Sequence, residues 1–169
     1  MLKVFIVSLL LFTSLKAVLT CNGYKMKLLK AENCAGNNAI IKIDEDFNII
    51  LNKKCELIPK GCVTFKDFSK ALAHYQIRKD GVLVKDDTTD LCSKVLQVPT
   101  EYKEMLNIYG APSKCPVQKG TICNDDKKLN LSKYKSHLKI ARGHIMINSS
   151  IEHDTGKSCF HFDVEIIKK

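Results

Sequence analysis

The sequence predicts an all-β fold, a sandwich of short antiparallel strands with one short helix, and three observations point to it. The first is alternation: Phe160, Phe162, Val164 and Ile166 alternate with His161, Asp163 and Glu165, the period-two pattern of a strand buried on one face. The second is punctuation, because seven or eight such short runs are separated by turn signals. The third is the set of eight cysteines spread along 169 residues, an even number that reads as four bridges in an oxidising compartment.

Taken in order, the chain starts with Lys3, an apolar run from Val4 to Phe12, and small or polar residues up to Thr20. That is the order of regions in a secretory signal peptide. A membrane anchor needs about twenty consecutive apolar residues, and Ser8, Thr13, Ser14 and Lys16 interrupt this run. Residues 1–20 are therefore expected to be cleaved, after Ala17 or Thr20, and residues 21–169 to form one secreted, extracellular domain. A formal net charge of +9 marks the whole chain as basic, and loss of the leader removes only Lys3 and Lys16.

Strands are expected at 24–29, 47–52 and 63–68. A hairpin is expected at Lys79-Asp80-Gly81, joining 71–78 to 82–85, since Asp-Gly suits a tight turn. Asp86, Asp87 and Asp90 follow; their spacing does not match a calcium loop, and a solvated turn accounts for them. After Pro99, Thr100 is placed to cap a helix over 101–109, with Met105, Leu106 and Tyr109 on one side and Gly110 and Pro112 as stop signals. A strand is expected over 134–141. The last hairpin pairs Ile145, Ile147 and Ile151 with the 160–166 run through His153-Asp-Thr-Gly-Lys157, where Gly156 supplies a positive φ. Asn148 then points away from the apolar face. Asn130-Leu-Ser132 and Asn148-Ser-Ser150 are glycosylation sequons.

Residue chemistry for catalysis is sparse. The string Phe160-His-Phe-Asp163 is like the end of pancreatic-type ribonucleases, but acid–base cleavage needs a second histidine and a lysine converging on His161. No histidine precedes His74. Alternation explains His161 more simply, as an outward residue. No G-x-S-x-G is present. The five histidines and the cysteines lack zinc-ligand spacing, so no metal and no cofactor is expected. The pairs Lys53-Lys54, Lys127-Lys128 and Lys168-Lys169 suit a soluble surface or, more pointedly, an anionic membrane surface, at about 1 kcal/mol per lysine. Nothing accompanies the charge that would bind nucleic acid.

The stretch Tyr109-Gly-Ala-Pro-Ser-Lys-Cys-Pro-Val-Gln-Lys-Gly120, together with Glu32-Asn-Cys34, Gly143-His-Ile145, Thr155-Gly-Lys157 and Cys159 before an alternating strand, resembles the lipid-recognition (ML) domain family. The likeness covers about residues 32–169, in the ganglioside activator-like form and its insect-type secreted branch. It implies an immunoglobulin-like sandwich of two antiparallel sheets, splayed to hold lipid between them, with bridges Cys34–Cys159 and Cys92–Cys115. Cys55 and Cys62 are close enough for a local bridge, which leaves Cys21 with Cys123. The family's further Cys-x-Cys-Pro pair has no match at Pro112-Ser-Lys-Cys115, so ligand specificity is not carried over.

On this reading the inward residues Ala71, Ala73, Tyr75, Ile77, Ile145, Ile147, Phe160, Phe162, Val164 and Ile166 are the cavity candidates, with Tyr102, Met105, Leu106 and Tyr109 at its rim. Ordinary core packing is the plainer role for each. The function expected is non-enzymatic binding or transfer of an acyl chain or other hydrophobic ligand. A secreted carrier of small semiochemicals acting through a receptor is the alternative, and a secreted ribonuclease a remote one.

Overall fold

A computed structural model of the chain describes residues 21–168; the expected leader, 1–20, lies outside the described residues. The long C-terminal hairpin organises the first layer. β10 (Gly143–His153) and β11 (Gly156–Lys168) pair antiparallel. β1 (Tyr24–Asn33) adds to β11, while β6 (Ala71–Lys79) and then β7 (Val82–Asp90) add to β10, giving a five-stranded sheet of order β1-β11-β10-β6-β7. The second layer is two ladders, β2-β5-β8 from Ile41–Ile43, Cys62–Phe65 and Gly120–Cys123, and β3-β4-β9 from Asn48–Leu51, Glu56–Lys60 and Leu129–Asn130. The all-β sandwich of antiparallel sheets is thus the fold.

Turn chemistry fixes both long hairpins. Asp80 and Gly81 take φ of 50° and 82° between the partners Lys79 and Val82, the double positive φ that matches strand twist in a two-residue turn. His153 pairs with Gly156 across Asp154 and Thr155, and the Asp154 carboxylate accepts from Ser69 N and Lys70 N at 2.9 and 3.1 Å. The turn of one hairpin thereby holds the start of β6.

Several expectations are corrected. Among the described residues three α-helices are present where one was expected: α1 (Leu91–Gln97), α2 (Thr100–Ile108) and α3 (Lys135–Ile140). The strand expected over 82–85 continues to Asp90, so the acidic cluster is not a turn. Asp86 accepts from Gln76 across the ladder at 2.8 Å, Asp87 pairs with Lys85 at 2.8 Å, and Asp90 caps α1 through Cys92 N and Ser93 N. The strand expected over 134–141 is a 3-10 turn, Leu131–Tyr134, running into α3. Leu131, Tyr134 and Leu138 are all buried, and their spacing of three and four residues is helical rather than period two. At α2 the N-cap position is Pro99, without a side-chain cap, and Thr100 lies inside the first turn. Its other end follows the stop signal: Gly110 has φ +70°, its N–H bonds Asn107 O, and Ala111 N bonds Leu106 O at 3.0 Å, the Schellman closure that glycine makes possible.

The bridges are Cys34–Cys159, Cys92–Cys115, Cys21–Cys55 and Cys62–Cys123. The first two are those the family resemblance implied; the pairings Cys55–Cys62 and Cys21–Cys123 are replaced. Cys55 and Cys62 stand at opposite ends of β4, and an extended strand of that length separates them by roughly 15–20 Å, far beyond bridging range. The antiparallel register instead sets Cys62 opposite Cys123.

Two apolar clusters fill the interior. One, around Tyr24, Leu57, Leu129, Tyr134, Leu138 and Ile166, packs the helical end. The other lies between the layers around Ile40, Phe47, Phe65, Phe68, Ala71, Ala73 and Phe160. Along the β1 side the layers are stitched: the Asn33 amide donates to Ile43 O and accepts from Ile43 N at 2.7 and 2.9 Å, and Ser158 Oγ accepts from Ile41 N at 2.9 Å. The opposite side, past β7, is covered by the 91–117 segment with its Cys92–Cys115 bridge.

Candidate ligand cavity between the sheets

Because side chains alternate across each strand, the register Ile147↔Phe162 and Ile145↔Val164 puts one apolar row on the inward face of the five-stranded sheet. The facing ladders contribute Ile41 and Ile43, Phe47 and Ile49, and Val63 and Phe65. Between them lies a cavity of about 510 Å³. Met26, Ile147, Phe160, Phe162 and Val164 line it from the first layer, those three pairs from the second, and Leu91 with residues 109–112 complete the lining. Among the described residues no charged one lines it. Phe47 and Phe162 meet edge to face across the gap at 6.3 Å, a contact that ties the two layers together, and Phe160 stacks on Phe162 along β11 at 6.2 Å.

The volume is within the range of small-molecule sites, about 300–1,000 Å³. Burial pushes the Tyr109 hydroxyl up to about 12, so it stays a neutral phenol and adds no charge to the lining. A second chamber of about 190 Å³ adjoins the first and shares Ile41, Leu91, Ala111 and Pro112 with it. Its other walls come from Phe68, Ala71, α1, Leu106 and the Cys92–Cys115 bridge, and among the described residues Lys94 and Lys114 are its only charged lining residues.

Of the residues singled out in the sequence, Tyr109, Ile147, Phe160, Phe162 and Val164 line the main cavity. Ala71 and Leu106 line the second chamber. Ala73 is buried beside them in the inter-sheet cluster. Ile145, Ile166 and Met105 belong to the cluster at the helical end and not to the cavity. Tyr75 and Ile77 are half-buried on β6 opposite Ser149 and Ile147, and Tyr102 is 36% exposed beside Tyr134. The wall supplied by the second layer was missed. Its signal was present as apolar pairs two residues apart (41 and 43, 47 and 49, 63 and 65), each too short to stand out alone.

The outward face of the same sheet is polar. His161 Nδ1 meets Asn148 Oδ1, His144 Nε2 meets Asp163, and His74 lies 3.5 Å from Asp86. His161 points away from the apolar row, as alternation requires. Asn148 and Asn130 are both exposed. Among the described residues no group of His, Cys, Asp or Glu is arranged to hold a metal ion, and no helix is long and apolar enough to cross a membrane.

No family model matches the chain. It is 34% identical over 150 residues to the sporozoite-associated mosquito saliva protein 1 of Anopheles gambiae, a match covering 86% of this chain and 83% of that protein. Among solved structures, chicken MD-1 complexed with lipid IVa aligns over 84% of this chain and 97% of its own, with a TM-score of 0.34 and 10% identity. That likeness is too distant to decide fold or ligand.

Proposed function

The chain belongs to the family of the Anopheles gambiae sporozoite-associated saliva protein, and from that membership and the cavity we propose that it is a secreted, non-enzymatic lipid-binding or lipid-transfer protein of the ML type. The observation that carries this reading is an inter-sheet cavity of about 510 Å³ with no charged lining residue. Such a space favours a hydrocarbon chain over water. Each buried methylene contributes roughly 0.8 kcal/mol, so a sixteen-carbon chain offers on the order of 12 kcal/mol before the costs of association. That offsets the cost of taking the chain out of bilayer hydrocarbon, so holding it requires no polar chemistry.

Secretion is supported by the leader-like first 20 residues and by four bridges, which persist where the surroundings are oxidising. Residues 21–169 form the lipid-binding domain in this reading. The exposed side chains of Asn130 and Asn148 are its glycan sites, and the exposed Lys53 and Lys54 favour approach to anionic membranes.

Native mass spectrometry after incubation with a lipid extract tests the proposal. The wild type is expected to carry lipid adducts, and Ile147→Trp, which fills the cavity from β10, to lose them. A wild-type protein that stays empty under these conditions ends the reading.

A further inference from the structure

The second chamber says something about the head of the ligand. It lies against the main cavity, the two sharing the walls Ile41, Leu91, Ala111 and Pro112, so it is the space next along from a chain lying between the sheets. Its lining is apolar except for Lys94 on α1 and Lys114 in the loop before Cys115, and the Cys92–Cys115 bridge ties those two segments together. Among the described residues no acidic side chain lines either chamber. Asp87, whose carboxyl feels the Lys94 charge, is itself paired with Lys85 at 2.8 Å.

We propose that Lys94 and Lys114 form a head-group site at the end of the apolar path, and that the ligand is a long-chain amphiphile with an anionic head, a carboxylate or a phosphate. The inference rests on the lipid-binding reading and adds the charge of the ligand to it. An ammonium pair flanking a hydrocarbon-lined opening attracts an anionic head through charge-assisted hydrogen bonds. It gives no such preference to an uncharged head, and it repels a cationic one. Both lysines are exposed, so the pair works at the water boundary. The expected preference is accordingly moderate, with the apolar path supplying most of the affinity and the lysines supplying the selection.

Binding of hexadecanoate, lysophosphatidate, hexadecanol and hexadecylamine to the disulfide-intact protein, measured by calorimetry, tests the proposal. The wild type is expected to prefer one or both anionic probes over hexadecanol by about tenfold, and which of the two binds more tightly tells carboxylate from phosphate. In the Lys94→Ser, Lys114→Ser double variant that preference is expected to vanish while hexadecanol affinity stays within about twofold. In Lys94→Glu, Lys114→Glu, hexadecylamine is expected to overtake hexadecanoate. If hexadecanol binds the wild type as tightly as the anions, or the double variants leave the order unchanged, the head-group site is wrong and the lipid cavity stands. If none of the four probes binds the wild type, the lipid-binding reading falls and takes the head-group site with it.

Discussion

His153 closes β10 with its ring against Phe68, centroids 4.5 Å apart, and its Nε2 lies 2.9 Å from the Oγ of the fully buried Ser158. Ser158 Oγ already accepts from Ile41 N, so its hydroxyl proton is free to donate to a neutral imidazole. Burial holds the His153 pKa below its ordinary 6.5, outweighing the Lys70 backbone and the Asp154 charge, which pull it upward. As pH falls through about 6.5 the unfolded chain takes up this proton before the folded one. The stability tied to neutral His153 is therefore present above that pH and lost as pH drops toward the folded value. Thermal melts at about pH 7 and about pH 5 should show a fall in Tm that is smaller in His153→Gln, and equal falls in both proteins would refute this. Nothing in the sequence marked His153: Ser158 meets it across the hairpin, and Phe68 only when the hairpin packs on the second layer. His161, by contrast, was legible as an outward residue from alternation alone.

Elements that depend on local signals followed the sequence closely, and those that depend on partners did not. The Asp80-Gly81 hairpin and the Gly110 helix stop carry their reasons in one or two residues. β2, β8 and β9 are two to four residues long and exist because neighbours complete their hydrogen bonds. Bridges follow the same division of labour in energy. Cys34–Cys159 spans 125 residues and Cys92–Cys115 spans 23, so loop-closure entropy assigns roughly 4–5 kcal/mol to the first and about 3 kcal/mol to the second. In guanidinium titrations Cys34→Ser with Cys159→Ser is expected to lower the unfolding midpoint more than Cys92→Ser with Cys115→Ser. Uptake of hexadecanoate should show the reverse order, because only the second pair lines the path to the cavity. A Cys92, Cys115 variant that takes up the probe normally would show that this bridge does not shape the opening.

For the molecule as a whole, a space between two sheets means that the facing side chains forgo part of the contact a closed core would give. Stability should then rise when something fills it. Saturation with a ligand at about a hundred times its Kd adds about 2.7 kcal/mol, so an excess of bound hexadecanoate is expected to raise the Tm of the wild type. Val164→Phe, which fills the space with protein, is expected to remove that ligand-dependent rise; an undiminished rise in the variant would place the ligand elsewhere. The sequence by itself determined the class of fold, the inward row on β10 and β11, and the even set of paired cysteines. Each of these is written in the order of neighbouring residues, since strand periodicity and turn conformation are local properties. Only the tertiary structure decided which cysteines meet, that 134–141 coils as a helix, that β2, β3 and β5 form the far wall, and that Lys94 and Lys114 line one chamber. Those facts are distances between segments remote in sequence, and they are set by register and by packing across two layers, which alternation along one strand does not encode.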